Sequence, residues 1–426
     1  MQLLKQLIPQ NSFIRKTYSW IKAIIASLIY KNPSKNLYVI GVTGTDGKTT
    51  TVHFIAQLLS FLGMKVAMSS TEEIWINDLK SINKTKRTTL SPFLVQKFLH
   101  QAHQKTCEVA VIEVSSHALS QGRVFGVEFD IAVVTNISQE HCDYHHDLHD
   151  YANVKANLCR LVRRSPKQKK MIILNQSMEF FDVFAKIAPD HNLTFCLEND
   201  QANLTARNLI GNSEKTCFIL DNQTQKANVC VHIPGIYNVE NILAASLVAQ
   251  YFDFSLQDIS TKLPFLKPIS GRLEKIQLHK NFNVFIDFAV TPGALEKLLI
   301  YAQSITNNKV IVVFGCTGGN HDQEKRPLMG EISAKIADYV VLTEDETYGE
   351  DNEKIVQDIQ KGFTDNFTNY QVIHDRKKAI YFALQKAQAG DIVLVTGMGA
   401  FQSRNNGQGE EKWSDKKIIE EYDKLG

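Results

Sequence analysis

The chain has 426 residues, 44% of them hydrophobic, and its 47 Lys and Arg against 45 Asp and Glu leave a formal charge of +2. That length supports two or three domains with cores of their own and needs no metal or disulfide staple to fold. The balanced charge excludes a general polyanion or nucleic-acid binder, so any anion site must be local.

Taken in chain order, the first apolar run is Ile21 to Tyr30, interrupted by Lys22 and followed by Lys31. It is too short to span a bilayer, and no small-residue cleavage site marks it as a signal peptide. It reads as an amphipathic helix packing on the next domain, with attachment to a membrane surface as the alternative. Residues 37–42 (LYVIGV) form a short strand that stops at a Gly-rich turn, and from Lys48 to Gly63 the apolar spacing becomes helical. Further strands are expected at Val109–Val114, Ile131–Thr135 and Met171–Leu174, with helices such as Ser91–Gln104 and Leu148–Arg163 between them. Alternating strands and helices imply a mainly parallel sheet covered on both faces.

From Leu193 to Ile233 short β-rich pieces separated by polar turns read as an antiparallel flap or side sheet, followed by a helix from about Asn238 to Tyr251. Leu263–Ile269, with Pro264 and Pro268, is the linker candidate. Strands near 284–287, 309–314, 339–343 and 391–396 then resume the α/β alternation. The seven cysteines (Cys107, Cys142, Cys159, Cys196, Cys217, Cys230 and Cys316) are scattered and include no C-x-x-C pair. That usage fits reduced thiols in a cytoplasmic protein and offers no zinc site.

The strongest chemical signal is Gly41-Val-Thr-Gly44-Thr45-Asp46-Gly47-Lys48-Thr49-Thr50-Thr51, between a strand and a helix. Glycines let backbone N–H groups wrap phosphate oxygens, the helix N-terminus adds partial positive charge, Lys48 can reach the β- and γ-phosphates, and Thr49 can ligate magnesium. The strict P-loop spacing is not met, because Val42 stands where its first glycine belongs. A tight strand-to-helix turn is the plain alternative. Glu113 ends the apolar strand VAVIEV, at the strand end where α/β folds bind ligands, and could hold a metal. The run Asn136 to His146 (NISQEHCDYHH) gathers His and Asp after another strand. Such a loop can ligate a metal or be merely solvated.

Together these motifs resemble the Mur ligases. GTDGKTTT, EVSSHAL, TNIS-x-EH-x-D-x-H, Tyr151 with Lys155, and Gly271-Arg272-Leu273-Glu274 occur in that family's order and spacing. Thr88-Thr89 before a helix, Lys325-Arg326-Pro327-Leu328-Met329-Gly330 and Asp375-Arg376 point to the MurE branch, whose members extend UDP-N-acetylmuramoyl peptides.

The resemblance implies ATP and Mg2+ as requirements, a UDP-muramoyl peptide and an amino acid as substrates, and an acyl-phosphate intermediate. It implies catalytic roles for Lys48, Glu113, His141, Lys155 and Arg272, with Thr49, Glu113, His141 and Lys155 at the metal. Lys155 would serve there as a carbamate, since an ammonium repels a cation whereas a carbamate offers it oxygens. Gly44, Thr45, Asp46, Gly47, Lys48, Thr49 and Thr50, with Asn238, Asn241, Arg272 and Asp287, would bind ATP. Thr88, Thr89, Ser115, Gln121 and Arg123 would hold the muramoyl substrate. The expected architecture is α/β: an N-terminal helical segment (1–36), a central P-loop-type parallel-sheet ATPase domain (37–268) and a C-terminal Rossmann-like domain (269–426). A monomer with no transmembrane segment is expected.

Some positions depart from the family. MurE enzymes carry an N-terminal uridine-binding domain, whereas residues 1–36 are all that precede the first expected strand here. The family's D-N-P-R becomes Glu344-Asp345-Glu346-Thr347, with no arginine to grip an incoming carboxylate. D-Y-A-H-T-P-D becomes Asp287-Phe288-Ala289-Val290-Thr291-Pro292-Gly293, and G-K-G-H-E becomes Gly397-Met398-Gly399-Ala400-Phe401. Changed acceptor specificity is the first reading and lost ligase activity the second. A ligase for a folate, polyglutamate or cyanophycin-type carboxylate and an ATP-binding accessory protein are the others.

Overall fold

The computed structural model describes residues 13–138, 147–197, 201–319, 322–364 and 366–425. They fall into two compact units: unit 1 takes the chain to Lys267, except for Gly211–Lys215 and Ile233–Ile236, which join unit 2 with Pro268 onward.

Unit 1 runs α1 (Phe13–Ile29), β1 (Tyr38–Thr43), α2 (Lys48–Phe61), β2 (Val66–Ser69), β3 (Glu73–Ile76), β4 (Leu79–Ile82), α3 (Pro92–Gln104), β5 (Val109–Glu113), α4 (Ser116–Ser120), β6 (Ile131–Val134), α5 (Leu148–Arg164), β7 (Met171–Asn175), α6 (Phe181–Ala185), β8 (Asn192–Leu197), β9 (Leu204–Gly211), β10 (Thr216–Asp221), β11 (Lys226–Val231), α7 (Tyr237–Tyr251) and α8 (Leu256–Lys262). Among the described residues these strands form one sheet in the order β11-β10-β9-β8-β7-β6-β1-β5-β2-β3-β4. From β2 to β8 neighbouring strands are parallel. The central strands β5 and β6 are buried at every position, which is why they read as unbroken apolar runs rather than alternating ones.

β1 lies between β5 and β6, so the chain leaves its two sides in opposite directions. That reversal opens a crevice at the C-terminal ends of β1, β5 and β6, where ligands bind in open α/β sheets. At the opposite end of β1, the buried Asp130 accepts a 2.8 Å hydrogen bond from the Val39 N–H, and Lys167 Nζ lies 3.6 Å from the same carboxylate. Burial pushes this carboxyl up to about 6.

Two expectations need correcting. The segment expected as an antiparallel flap or side sheet continues the central sheet: β10 and β11 are antiparallel as expected, but β8 pairs in parallel with both β7 and β9. Strand direction is set by which neighbours meet, and residue pattern alone does not carry it. The second correction is chemical. In the antiparallel β10–β11 hairpin Cys217 faces Cys230 with Cα atoms 4.1 Å apart, and the two are joined as a disulfide rather than being free thiols. Hairpin register brings them together, which scattered spacing did not reveal. Cys107, Cys159, Cys196 and Cys316 are free and buried, and Cys142 lies outside the described residues.

Unit 2 runs β12 (Glu274–Ile276), β13 (Asn283–Asp287), α9 (Pro292–Ser304), β14 (Val310–Phe314), α10 (Lys325–Ile336), β15 (Tyr339–Leu342), α11 (Asn352–Gln360), β16 (Tyr370–Val372), α12 (Arg376–Lys386), β17 (Ile392–Thr396), a hairpin of β18 (Ser403–Asn405) and β19 (Glu410–Lys412), and α13 (Asp415–Lys424). Its sheet order is β12-β13-β17-β14-β15-β16, parallel except at β12. Two fully buried arginines tie its helices together. Arg326 pairs with Glu350 at 2.9 Å and Asp358 at 3.0 Å, and Arg376 pairs with Asp415 at 2.7 Å. Among the described residues no helix is long and apolar enough to cross a membrane.

Candidate active site

The turn after β1 is locked by its neighbours. Gly44 has φ 147°, and a Cβ there would lie 1.9 Å from Thr135 Oγ1. Gly47 caps α2 in the left-handed region at φ 77°, with Asn241 Oδ1 2.5 Å from where a Cβ would stand. Both positions therefore require glycine. The loop after β6 holds the same turn. Asn136 Oδ1 accepts from the Asp46 N–H at 2.9 Å, Thr135 Oγ1 donates to the Asp46 carbonyl at 2.6 Å, and the Ser138 N–H donates to Thr45 Oγ1 at 3.0 Å.

Two lysines face this turn. Lys48 Nζ donates to the Thr45 carbonyl at 2.5 Å. Lys155, essentially fully buried on α5, donates to the Gly44 carbonyl at 2.6 Å and lies 4.3 Å from the centroid of the Tyr151 ring. Tyr151 and Lys155 are four residues apart and so share one face of α5. That helix starts where Asp147 accepts from the Asp150 N–H at 2.7 Å.

Beside the turn, the buried Glu113 receives the Thr49 hydroxyl on Oε1 at 3.0 Å. Its Oε2 receives both the N–H and the hydroxyl of Thr71, at 2.7 and 3.1 Å. Hydroxyl and carboxylate oxygens are the hard donors that Mg2+ takes, so this pair fits the metal. Among the described residues no three His, Cys, Asp or Glu side chains converge. A magnesium ion here would complete its shell with phosphate and water oxygens, as it does in nucleotide sites. His141 lies outside the described residues. Thr50 is buried in the first turn of α2, where Thr51 donates to Asn241 Oδ1 at 3.0 Å and Asn241 donates to Asn238 Oδ1 at 3.2 Å. Asn241 therefore braces the turn after β1 from α7.

The residues expected to hold the second substrate also meet. Thr89 Oγ1 donates to the Glu113 carbonyl at 2.9 Å and accepts from the Ser115 N–H at 2.9 Å. Arg123 donates to the Thr89 carbonyl at 3.2 Å and to Gln121 Oε1 at 2.8 Å, while Thr88 is half-buried beside them.

In unit 2 the strand ends again carry the motif positions. Asp287 accepts from the Leu273 N–H at 2.6 Å, and the Arg272 guanidinium lies 4.6 Å from the centroid of the Phe288 ring. Gly397 leaves room for Asp345, whose Oδ2 would be 2.3 Å from a Cβ there. Burial, partly opposed by the charge of Arg376, pushes the Asp345 carboxyl up. The loop expected to lack an arginine is supplied with one from elsewhere. Arg404 on β18 lies 2.7 Å from Glu344, stacks 3.7 Å from the Trp413 ring and pairs with Glu411.

A family model described as the Mur ligase middle domain matches residues 42–249, and one described as the Mur ligase, glutamate ligase domain matches 271–399. The UDP-N-acetylmuramoyl-L-alanyl-D-glutamate–2,6-diaminopimelate ligase of Bacillus velezensis is 35% identical over 379 residues, 88% of this chain and 76% of that protein. The chain belongs to the Mur ligase family. The corresponding enzyme 1 of Clostridium acetobutylicum is 33% identical over 94% of this chain and 81% of its own length. A solved diaminopimelate ligase of the same description superposes with a TM-score of 0.63 at 32% identity, covering 91% of this chain and 78% of that one. Folylpolyglutamate synthase of Mycobacterium tuberculosis reaches a TM-score of 0.72 at 16% identity, covering 89% of this chain and 92% of its own, a likeness of fold alone.

This Mur ligase is thus an ATP-dependent ligase of the peptidoglycan-precursor type. Sequence reasoning missed Thr71 and Arg404, and it placed Thr51 in the turn motif without its partner Asn241. No motif flags Thr71 or Thr51 as partners of Glu113 and Asn241, and Arg404 lies 60 residues from the loop it joins (404 minus 344).

Proposed function

We propose that this Mur ligase joins an amino acid to the terminal carboxylate of a UDP-N-acetylmuramoyl peptide, in the cytoplasm where both ATP and that precursor are found. The substrate carboxylate takes the γ-phosphoryl group of ATP, giving an acyl phosphate and ADP. The amine nitrogen then attacks the acyl carbon, phosphate leaves, the nitrogen loses a proton and an amide bond remains. Both steps build negative charge at a transferring or tetrahedral centre, so positioned cations and N–H donors lower the barrier.

The backbone from Gly44 to Thr50 and the Lys48 ammonium would cradle the phosphates, with Asn238, Asn241, Arg272 and Asp287 as further ATP contacts. Thr49 and Glu113, with His141 and Lys155, would hold Mg2+. The metal, when bound, supplies charge neutralisation at the phosphate oxygens. Lys155 is buried against the phosphate turn, and as a carbamate formed from its neutral amine and CO2 with release of one proton it would present oxygens there. Thr88, Thr89, Ser115, Gln121 and Arg123 would orient the muramoyl peptide. Glu344 to Thr347, with Arg404, would select the amino acid.

The carrying observation is the joint placement of Lys155 on the Gly44 carbonyl and of Thr49 on Glu113, both at the phosphate turn. The test is ADP release with UDP-muramoyl dipeptide and each of a panel of amino acids. Turnover that needs both substrates supports the proposal. ATP turnover indifferent to every muramoyl and amino-acid pair would remove it and favour an accessory role.

A further inference from the structure

An ordinary amphipathic helix buries its large apolar side chains and shows its small or polar ones. α1 does the reverse. Its inward side is Ala23, Ala26 and Ser27, all buried. Close approach fixes this side. A Cβ added at Gly126 would lie 2.7 Å from Ser27 Cβ, and one at Gly122 would lie 2.6 Å from the Trp20 indole, whose ring also packs 5.0 Å from Phe125. Tyr18, Ile21, Ile24, Ile25, Leu28 and Ile29 are turned outward, Leu28 and Ile29 exposed to 69% and 60%. At 3.6 residues per turn these six positions share one arc of about 140°, with Trp20 just beyond its edge. Lys22 stands at the other edge, its ammonium 4.2 Å from the Tyr18 ring centroid.

Charge selects what would cover this face. Residues 1–45 contain Lys5, Arg15, Lys16, Lys22, Lys31 and Lys35 and no acid, the first being Asp46, although the whole chain is almost neutral. A broad apolar arc with aromatic residues among it, set in a segment that is basic throughout, matches an anionic lipid surface: apolar side chains enter the acyl boundary while lysines meet the headgroups. We propose that α1 docks this ligase onto membranes rich in anionic phospholipid, lying in the plane of the interface without crossing it. The idea is independent of the substrate assignment, since the arc includes no residue assigned to ATP or the muramoyl peptide.

The test is flotation of the full chain with phosphatidylcholine vesicles, with and without phosphatidylglycerol. Binding is expected to be about tenfold stronger with phosphatidylglycerol and to weaken as salt is raised. Ile25→Glu with Leu28→Glu, both at exposed positions, should reduce it about tenfold with ADP release and unfolding midpoint unchanged. The uncharged pair Ile25→Gln and Leu28→Gln should also lose most binding, separating lost insertion from added repulsion. Equal binding to both vesicle types, or undiminished binding by both double variants, overturns the proposal. So does sedimentation showing a dimer that these substitutions dissociate while vesicles bind nothing, because the face would then belong to a second copy.

Discussion

In unit 1 the loops at the strand ends converge on one turn: the Gly44 carbonyl meets a buried lysine, the Asp46 amide meets Asn136, and Thr49 meets Glu113. In unit 2 the corresponding loops spend their charges on one another. Glu344 is paired with Arg404, and Asp345 is sealed beneath Gly397. The family motifs persist in the first set, whereas in the second some persist, as at Arg272 and Arg376, and others change, as at Glu344 to Thr347, Val290 and Met398. A triphosphate and its metal have one geometry, so a turn that wraps them tolerates few side chains. If the second set reads the acceptor amino acid, as proposed, a varying acceptor is matched by loops whose charges are met from a distant hairpin, here by Arg404.

That contrast can be attacked where it should be strongest. Lys48→Ala and Lys155→Ala are each expected to reduce substrate-dependent ADP release by at least about 10³-fold. Full activity of Lys155→Ala without added bicarbonate or short carboxylic acids would end the carbamate proposal. Glu113→Gln should lower apparent Mg2+ affinity about 10²-fold, read from turnover across a magnesium titration. An unchanged titration would move the metal elsewhere.

Gly44→Ala puts a Cβ against Thr135 Oγ1 in a backbone region that disfavours side chains, and is expected to lower stability by about 1–3 kcal/mol in chemical unfolding. An unfolding midpoint equal to the parent's would show that the turn is looser than described. On the acceptor side, replacing Glu344-Asp345-Glu346-Thr347 by D-N-P-R should shift amino-acid preference about tenfold with ATP affinity unchanged. If preference holds and ATP affinity drops, the division of labour between the units fails.

The smallest effect concerns Asp130, which lies away from both sets of loops. Its carboxyl titrates near 6 in the folded protein against 3.8 ordinarily, so its contribution to stability is fullest below the lower value and is lost as pH rises through the higher one. Asp130→Asn should flatten that decline, a difference on the order of a few degrees in midpoint between acidic and neutral pH. Parallel pH profiles for variant and parent would show that Lys167 compensates the ionised carboxylate.

The sequence by itself marked the central parallel strands and their helices, the glycine turn ahead of α2 and the family, but not the short strands β2 to β4. Each rests on short-range signals: apolar runs where a parallel strand is covered on both faces, glycines where φ is positive, a lysine and threonines opening a helix. Lys155 was singled out by the family resemblance, and the structure buries it beside Tyr151 rather than leaving it on the surface. Tertiary structure decided what depends on distant segments meeting. It paired Cys217 with Cys230 through hairpin register, ran β8 and β9 in parallel, and gave the loop at Glu344 an arginine from β18. It also turned the large side chains of α1 outward. Periodicity marks a helix as amphipathic, but only the small residues it must fit against, here Gly122 and Gly126, decide which face goes in.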